Sequence, residues 1–396
     1  MTANNYPRKS ICVYSHLYPT VVHPANGKFI HDQVQLLHEE TSLDIKVLVP
    51  TPIALPFTKR KIKNSAPLIH DPIDAERVTY FSLPRKHLPK LIQKSLIKNS
   101  RKHIEQQNFD IIHVHWLYPD GLCIPAFKQM GYKCILTIHG SDWHQTKHRK
   151  SLRPLIKQAL THSEVILFSG PKLKEDLEST FPQFAAKSRV IYNMVDETIY
   201  QPPSQEEKKR QRKHLSWNQN KLHSLTVANI RHEKGIDLLL KAIIYANEFS
   251  DIDFHIIGGT RKDKYAKRIE TLVKKAQHQN VFIHKPVSPK TLLTYYQAAD
   301  FYTLPSRREG FNVSLLEALA CGLPTICTDV GGNKLIINNQ NGLIIDKTNS
   351  SDIHKTLLKL KVKLENFNPS KIHSNIVKDF GKQAFLKKLL SVYNSF

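Results

Sequence analysis

The sequence predicts an α/β protein with two doubly wound, Rossmann-like domains. Its 396 residues are enough for two domains that each bury a core of their own. Short apolar runs alternate with helical stretches in both halves of the chain, which is the pattern of repeated βαβ units with parallel sheets. A polar, charged and proline-containing stretch at residues 192–214 interrupts this alternation and places a boundary near the middle of the chain.

The first half of the chain begins with a predicted strand over residues 10–15, a loop over 16–28 and a helix over 29–40. Further strands are predicted at 43–49, 109–115, 133–138, 165–169 and 189–192, with helical stretches such as 121–130 and 152–162 between them. Ligands bind beyond the carboxyl ends of the strands in a doubly wound sheet. The residues that directly follow these strands are therefore the first candidates for a functional site.

The second half repeats the alternation from residue 222 onward. Its predicted strands are LTVANI at 225–230, then 252–257, 281–284, 300–304 and 325–328, and its predicted helices are 235–248, 265–278, 289–299, 313–320 and 376–393. We therefore predict a first domain over 1–195, a linker over 196–220, a second domain over 221–375 and a C-terminal helical segment over 376–396.

Several features of the composition point to the cytoplasm. No apolar run approaches the ~20 residues of a membrane-spanning helix, and the first residues lack the apolar core and cleavage site of a signal peptide. The five cysteines form no CxxC pair and lie in apolar contexts, so we expect reduced core residues instead of disulfides or zinc ligands. These cysteines are Cys12, Cys123, Cys134, Cys321 and Cys327.

The formal net charge of +24 favours an anionic partner, which would be nucleic acid, an acidic membrane face or a phosphorylated substrate. We expect no nucleic-acid partner, because the sequence has neither an RNP-like aromatic motif nor Cys2His2 spacing. Basic residues concentrate at 59–63, 85–102 and 208–213. A predicted helix over 85–105 carries lysines every fourth residue, at Lys90, Lys94, Lys98 and Lys102. This helix either lies peripherally on the anionic inner face of the membrane or is an ordinary amphipathic surface helix.

The stretch 300–332 has the densest functional pattern. It reads as strand, polar loop, helix, strand and glycine turn, with Glu309 before the helix and Glu317 within it. A helix N-terminus attracts anions, and Gly310 allows a ligand to approach the backbone closely. A carboxylate beside a bound nucleotide can accept hydrogen bonds from ribose hydroxyls. The alternative is that both glutamates are solvated charges favoured by the helix dipole.

A resemblance to a known family is carried by residues 305–332, PSRREGFNVSLLEALACGLPTICTDVGG. This run resembles the donor-nucleotide site of the retaining GT-B glycosyltransferases of family 4, in which a spaced glutamate pair follows a PS-x-x-EGF loop. The resemblance implies a GT-B fold with two domains facing a central cleft and a last helix that crosses back to the first domain. It also implies sugar transfer from a nucleotide-sugar to an acceptor hydroxyl, with retention and without a required metal.

The resemblance implies donor-site roles for residues of the second half. Glu309 would touch the donor sugar, Glu317 would bind the ribose, and Lys234 of a Lys-Gly pair would neutralise the diphosphate. The arginine that the family commonly has five residues before this lysine is Asn229 here, and Arg231 is offset by two. Either Arg231 reaches the phosphates, or Asn229 serves with Lys234 alone. The other donor-binding residues expected are Gly310, Phe311, Asn312, Val313 and, from the first half, Gly27.

In the first half, the segment TIHGSDW resembles the family's T-x-HG-D segment, which implies that His139 contacts the transferred sugar. Gly27 opens a helix and lies in a variant of the family's P-x-x-G-x-F loop without its double glycine, or is an ordinary loop glycine. The strand end HVHWLYPDG places His113 and His115 on one face. They are core residues or a metal pair without a third ligand, and a functional His115 would line the acceptor side with Asp120.

No divalent metal or other cofactor is expected. Asp251 and Asp253 match a DxD metal pair, but they precede a strand instead of ending one. We therefore predict a hexosyltransferase that uses a UDP- or GDP-sugar and a glycan or lipid-linked acceptor in surface polysaccharide or glycolipid synthesis. Two alternatives are a nucleotide-sugar epimerase on the same architecture, and a non-enzymatic basic protein that binds polyanions or membranes and would be indifferent to Glu309→Ala.

Overall fold

A computed structural model describes residues 9–24, 26–53, 66–82, 88–244, 247–261, 263–276 and 280–396. The chain divides into two compact units, of which the first comprises Met1–Tyr192 with Leu386–Phe396 and the second comprises Asn193–Phe385. The predicted basic run 59–63 and residues 85–87 of the predicted basic helix lie outside the described residues. Each unit contains one parallel sheet covered by helices, which confirms the predicted fold class.

The first unit has a parallel sheet in the order β3-β2-β1-β4-β5-β6-β7. Its strands are β1 (Ser10–Tyr14), β2 (Asp44–Pro52), β3 (Asp74–Tyr80), β4 (Ile111–His115), β5 (Lys133–Ile138), β6 (Val165–Phe168) and β7 (Ser188–Val190). The order runs outward from β1 to β3 and then resumes at β4 on the other side of β1. Residues that follow β1 and β4 therefore flank a topological switch point, where ligands bind in such sheets.

Helices connect these strands and bury their apolar sides against the sheet. They are α1 (Lys28–Glu40), α2 (Pro89–Glu105), α3 (Ile124–Gln129), α4 (Ser141–Thr146), α5 (Arg153–His162) and α6 (Pro171–Thr180). In α2 the spacing of Ile92, Leu96 and Ile104 puts all three on the buried side, while the four lysines of the basic series are exposed. All five cysteines of the chain are free and buried, as predicted.

The second unit has a parallel sheet in the order β10-β9-β8-β11-β12-β13. Its strands are β8 (Leu222–Val227), β9 (Ile252–Ile257), β10 (Val281–His284), β11 (Phe301–Leu304), β12 (Thr325–Thr328) and β13 (Gly342–Ile345). Its helices are α7 (Gln205–His214), α8 (Ile236–Ile243), α9 (Lys264–Lys275), α10 (Pro289–Ala298), α11 (Val313–Ala320), α12 (Ser350–Lys363) and α13 (Pro369–Phe380). The switch point lies between β8 and β11, so the loops that follow these two strands are the place for a ligand.

The stretch predicted as a linker contains a helix that packs on the second unit. Ser204 caps α7 by accepting a hydrogen bond from the Glu207 backbone N–H at 3.1 Å. Near the other end of this helix, buried Arg212 donates to the Ala298 carbonyl oxygen at 2.9 Å and to an Asp300 carboxylate oxygen at 2.6 Å. The charged stretch that was predicted as a linker therefore contains a capped helix, and Arg212 of this helix forms an ion pair with Asp300.

Two predicted boundaries are corrected. The strand predicted over 225–230 is Leu222–Val227, because His223 and Ser224 are buried and pair within the sheet. The helix predicted over 376–393 is instead the end of α13 and a separate helix α14 (Lys382–Tyr393), divided at extended Gly381. The first backbone N–H of α14 donates to a Glu197 carboxylate oxygen at 2.9 Å, which caps a new helix start.

Candidate functional site

The loops that follow β8 and β11 meet at the switch point of the second sheet. The backbone N–H groups of Arg307 and Arg308 donate to the Glu233 carbonyl oxygen at 2.7 and 3.2 Å. The short 3₁₀ turn His232–Lys234 therefore lies directly against the polar loop before α11. This contact brings two of the predicted site residues, Lys234 and Glu309, from opposite sides of the switch point into one cluster.

Lys234 and Glu309 form a bidentate ion pair at this point. The Lys234 Nζ lies 2.8 and 2.7 Å from the two carboxylate oxygens of Glu309. The Glu309 side chain is only 6% exposed, whereas that of Lys234 is 25% exposed. Ser306 and Asn312 also donate to the Glu309 carboxylate, Asn312 at 3.1 Å. The carboxylate is therefore held in place by neighbouring donors, while the Lys234 side chain is the more exposed member of the pair.

Gly235 is required for the close approach of the two loops. Its φ of +67° lies in the left-handed region, and it forms the N-cap of α8. A Cβ at this position would lie 1.9 Å from the Pro305 carbonyl oxygen. Gly331 has a similar role, because its Cβ would lie 2.7 Å from the Glu309 Cβ. The Lys-Gly pair of the sequence thus reflects backbone packing as well as the lysine charge.

We predict that Gly235→Ala destabilises the second unit by about 2–4 kcal/mol, because a left-handed alanine is strained and its methyl group overlaps the Pro305 backbone. Thermal unfolding of the purified variant measures this loss. Gly131→Ala is the matched control, since Gly131 has a φ of +95° but no atom within 4 Å of its added Cβ. An equal loss in both variants would contradict the role of loop packing at Gly235.

The predicted anion site at the N-terminus of α11 lies beside this cluster. Asn312 is its N-cap, and its side-chain oxygen accepts from the Leu315 backbone N–H at 3.4 Å. Ser314 fixes the first turn to β8 by donating to the Val227 carbonyl oxygen at 3.1 Å. Gly310 and Phe311 lead into this turn, and Val313 is the first residue of the helix. The backbone N–H groups of this helix start offer partial positive charge to an anion beside Lys234.

Glu317 lies further along α11 and is held by two tyrosines that the sequence did not single out. The Tyr200 and Tyr296 hydroxyls donate to its two carboxylate oxygens at 2.9 and 2.8 Å. Burial and the nearby Glu317 charge raise the pKa of Tyr296 well above its ordinary value, so this hydroxyl keeps its proton. The two tyrosines therefore fix the orientation of the Glu317 carboxylate.

Arg231 and Asn229 differ in their side-chain contacts. The Asn229 side-chain oxygen accepts from the Gly259 backbone N–H at 3.2 Å, which ties the loop after β8 to the loop after β9. The exposed Arg231 guanidinium has no hydrogen-bond or ion-pair partner among the residues that the structure describes. Arg231 is therefore the cation in this loop that is available to a ligand without breaking an existing contact.

A buried ion pair that the sequence analysis missed supports the Glu309 loop. Arg307 donates to both carboxylate oxygens of Asp237 at 2.7 and 2.9 Å, and the Tyr265 hydroxyl donates to the same carboxylate at 2.8 Å. Burial raises the pKa of Asp237, but hydrogen bonds from Arg307 and Tyr265 outweigh it and leave the pKa below its ordinary value. Two features of the sequence could have indicated this ion pair: an aspartate in the first turn of α8 and an arginine in the loop that contains Glu309.

In the first unit, residues that follow β4 and β5 form an aromatic and histidine cluster. His139 Nε2 lies 3.0 Å from His115 Nδ1, and its ring packs against Trp116 and Phe29 at centroid distances of 4.6 and 5.0 Å. His139 is partly exposed, whereas His115 is 3% exposed and stacks between His139 and His113. The structure therefore places His115 behind His139, where it fixes the ring of the more accessible histidine.

His115 and Asp120, predicted to line the acceptor side, are both buried in the structure, and their acceptor-side role stays a prediction. Asp120 is 0% exposed, and one of its oxygens accepts from the His16 backbone N–H and contacts His16 Nδ1, both at 2.8 Å. These two residues support the partly exposed side chains of His139 and His16, respectively. Gly27 caps α1 nearby with a φ of +75°, and its Cβ would lie 2.5 Å from the Leu17 carbonyl oxygen.

We predict that the histidine cluster makes stability depend on pH. Burial lowers the pKa of His115 to about 3, and burial together with neighbouring imidazoles lowers the pKa values of His113 and His139. Unfolded histidines titrate near 6.5, so the unfolded chain binds more protons as pH falls from about 6.5 toward 3. The contribution of these histidines to the free energy of unfolding is therefore full above about pH 6.5. Below that pH it falls by about 1.4 kcal/mol per pH unit for each such histidine.

Thermal unfolding of the wild type and His115→Gln between pH 7.5 and 5 tests this dependence. The variant removes one titrating imidazole and keeps a polar side chain that can face His139. Its unfolding midpoint is expected to fall less steeply with decreasing pH than that of the wild type. Parallel pH profiles of the two proteins would show that His115 does not titrate differently on unfolding.

Comparison with known proteins follows the same division of the chain. Residues 44–198 match the family model described as Glycosyltransferase Family 4, and residues 207–366 match the model described as Glycosyl transferases group 1. The chain is 30% identical over 284 residues to the uncharacterized glycosyltransferase MJ1178 of Methanocaldococcus jannaschii, covering 69% of this chain and 73% of that protein. It is 29% identical over 343 residues to TuaC of Bacillus subtilis, a glycosyltransferase assigned to teichuronic acid biosynthesis, covering 83% of each.

Solved structures share the fold over nearly the whole chain. Sucrose-phosphate synthase from Thermosynechococcus elongatus matches with a TM-score of 0.79 at 18% identity, covering 98% of this chain and 99% of that one. Anabaena HepE, solved in complex with UDP, matches with a TM-score of 0.74 at 14% identity, covering 98% and 100%. At these identities the likeness shows the GT-B fold and carries no residue roles.

Proposed function

This chain belongs to the group 1 glycosyltransferases of family 4, and we propose that it transfers a sugar from a nucleotide-sugar to an acceptor hydroxyl with retention and without a required metal ion. The observation that carries the proposal is the Lys234–Glu309 pair beside the N-terminus of α11, at the switch point of the second sheet. A structural neighbour solved in complex with UDP supports a UDP-sugar as the donor. A GDP-sugar is the other donor considered.

In this proposal the donor diphosphate replaces Glu309 as the partner of Lys234. The Lys234 side chain is the more exposed member of the pair, and Arg231 has no partner among the described residues, so both cations can turn toward phosphate oxygens. The N–H groups of the first turn of α11 add hydrogen-bond donors for the same charge. These groups stabilise the negative charge that develops on the leaving diphosphate as the glycosidic bond breaks.

The two glutamates bind different parts of the donor in this proposal. Glu309, released from Lys234 but still held by Ser306 and Asn312, accepts hydrogen bonds from hydroxyls of the donor sugar. Glu317, positioned by its two tyrosines, accepts from the ribose. No side chain of the second unit is assigned as a nucleophile, and in a front-side reaction the leaving phosphate takes the acceptor proton. Positioning and electrostatics then supply the rate enhancement.

We assign a substrate-contact role in the first unit to His139. It is the more accessible histidine of its cluster, follows the carboxyl end of β5, and is held through its Nε2 by His115. Its lowered pKa keeps the imidazole neutral near pH 7, so it acts as a hydrogen-bond partner for a sugar hydroxyl and not as a cation. Gly27 and the N-terminus of α1 provide a second polar contact in the same unit.

We further propose a glycan or lipid-linked acceptor and a cytoplasmic protein that docks on the inner face of the membrane. The exposed lysines of α2 support docking, together with exposed Leu88 (60%) and Leu91 (43%) at its start. Among the described residues, none of the helices is sufficiently long and apolar to span a bilayer. The relationship to TuaC supports an acceptor of the surface-polysaccharide class.

Flotation with anionic and neutral liposomes tests the docking proposal. Replacing Lys90, Lys94 and Lys98 by glutamine is expected to reduce binding to anionic vesicles. Replacing Lys355, Lys359 and Lys363 of α12, which are exposed at the same spacing, removes an equal charge and serves as the control. Equal losses in both variants, or no preference of the wild type for anionic lipid, would contradict a role for α2.

A thermal-shift panel of UDP, GDP, ADP and their common sugars tests the donor proposal. Selective stabilisation by one base, followed by incubation of that nucleotide-sugar with candidate acceptors, is expected to give a glycosylated product with retained configuration in the presence of EDTA. Release of only a free epimerised sugar nucleotide would identify an epimerase instead. The absence of any nucleotide effect would contradict the donor site.

A further inference from the structure

A second group of buried polar side chains lies inside the second unit, away from the loops of the donor site. His223, Asp253 and His255 are all buried, and one ligand atom from each lies within 4.8 Å of the other two. Adjacent positions on β8 and β9 bring them to one face of the sheet, because His223 pairs with Asp253 and His255 follows two residues later. We propose that these three side chains bind a structural divalent transition-metal ion, for which their chemistry favours Zn²⁺.

The ligand types and distances fit such an ion. Two imidazole nitrogens and one carboxylate oxygen are all zinc ligands, and the set resembles three-ligand zinc sites with a water molecule in the fourth position more than closed cysteine-rich ones. His223 Nδ1 lies 3.1 Å from His255 Nε2 and 3.9 Å from an Asp253 oxygen. Tetrahedral zinc with bonds of about 2.0–2.1 Å separates its ligand atoms by roughly 3.3–3.4 Å. The two histidine nitrogens are within a few tenths of an ångström of this spacing, and the Asp253 oxygen must approach His223 by about half an ångström for all three side chains to hold the ion.

Each ligand is also anchored through its other polar atom. His223 Nε2 lies 2.8 Å from the Asn218 carbonyl oxygen, and His255 Nδ1 lies 3.2 Å from His284 Nε2. Lys221 holds the second oxygen of Asp253 at 3.1 Å. Outer contacts of this kind orient histidine and carboxylate ligands in metal sites. They are present here around all three proposed ligands.

The hydrogen bonds also define where protons go when the ion binds. The Asn218 carbonyl can only accept, so His223 donates from Nε2 and leaves its Nδ1 lone pair facing His255. In the metal-free protein, His255 therefore donates from Nε2 to this lone pair. On binding, that proton moves to His255 Nδ1, which donates to His284 Nε2, and the His284 proton moves to Nδ1, 3.4 Å from the Tyr295 hydroxyl. No net proton is lost.

The proposed metal has a structural role and no role in sugar transfer. His223 is four residues before the end of β8, which is roughly 13 Å along the strand from the donor loops. The Trp217 ring stacks on His223 and His255 at centroid distances of 4.5 and 3.7 Å and covers the site. Binding would link β8 to β9 beneath this indole, so it raises stability without changing the nucleotide site.

Metal titration of the EDTA-treated full chain tests the proposal. One equivalent of Zn²⁺ is expected to raise the unfolding midpoint by at least about 3 °C. Co²⁺ is expected to quench Trp217 fluorescence with one-to-one stoichiometry, a signal that is absent in Trp217→Phe. Asp253→Asn keeps the shape of its side chain and is expected to weaken binding at least tenfold. Asp251→Asn is the control, because Asp251 is exposed and pairs with Lys361.

The chain has 21 histidines, and some of them could bind metal at the surface. Comparison of the two aspartate variants distinguishes such surface binding from binding at the buried cluster. Equal metal affinity in Asp253→Asn and Asp251→Asn would overturn the proposal, as would a wild-type midpoint that does not respond to one equivalent of Zn²⁺. Either result would identify the cluster as a metal-free hydrogen-bonded core. Retained response to UDP in Asp253→Asn is expected in all cases, so failure of this proposal is distinguishable from failure of the donor site.

Discussion

Replacing Lys234 by alanine is expected to remove the thermal stabilisation by the donor nucleotide and to lower kcat/KM by about 10²–10³, the loss typical of removing one charge-stabilising group at a leaving oxygen. The physical reason is that the diphosphate is proposed to pair with the Lys234 ammonium group, which Glu309 already holds at this site. Thermal shifts with the nucleotide selected in the panel and initial rates of sugar transfer measure the two effects.

The same substitution leaves the carboxylate of Glu309 without its cation, and this effect must be separated from the loss of binding. We expect the nucleotide-free midpoint to fall, because an unpaired buried group costs about 1–3 kcal/mol. Lys234→Arg is the matched variant, since its guanidinium can still pair with Glu309 and with phosphate, and we expect partial recovery of both stability and rate. A Lys234→Ala protein that still responds fully to the nucleotide would exclude Lys234 from the donor site.

The sequence predicts the donor region closely because several local signals agree there. The strand 325–328 and the helix 313–320 match β12 and α11 residue for residue, and 300–304 differs from β11 by one residue. Apolar runs of strand length, a helix start at Asn312 and the Gly322 stop all specify the same βαβ unit. The resemblance of this stretch to family 4 is confirmed by the family models and the relatives.

The residues that the sequence does not predict are those whose role depends on long-range contacts. Tyr200 is 117 positions from Glu317, and Arg307 is 70 positions from Asp237, so no local pattern links either pair. The burial of Asp120 likewise depends on its contact with His16, 104 positions away. A tyrosine, an arginine and an aspartate are common surface residues, and only the folded chain shows that these particular ones support a site.

Polar composition also hides structure in the middle and at the end of the chain. The stretch around α7 reads as a linker because it is charged, but Ser204 with Glu207 three residues later matches the pattern of a helix start. Gly381 lies within a continuous amphipathic pattern, and periodicity alone does not show that the helix stops there. Capping residues and single glycines therefore carry information that a reading based on hydrophobic spacing omits.

Glu309→Gln is expected to separate nucleotide binding from sugar transfer. The amide keeps the size of the side chain and can still contact Ser306 and Asn312, but it no longer pairs with the Lys234 charge. In the wild type, a diphosphate must compete with this carboxylate for the ammonium group. We therefore expect the variant to bind the free nucleoside diphosphate at least as tightly as the wild type.

Transfer should change in the opposite direction. Glutamine loses the anionic acceptor proposed for the donor-sugar hydroxyls, and the rate is expected to fall by about 10²–10³ because sugar orientation and charge complementarity are both reduced. Nucleotide thermal shifts and initial transfer rates on the same preparation measure the separation. Glu317→Gln is the control, since it alters the proposed ribose contact and should weaken nucleotide binding instead. Parallel losses of binding and rate in Glu309→Gln would mean that Glu309 positions Lys234 and does not contact the sugar.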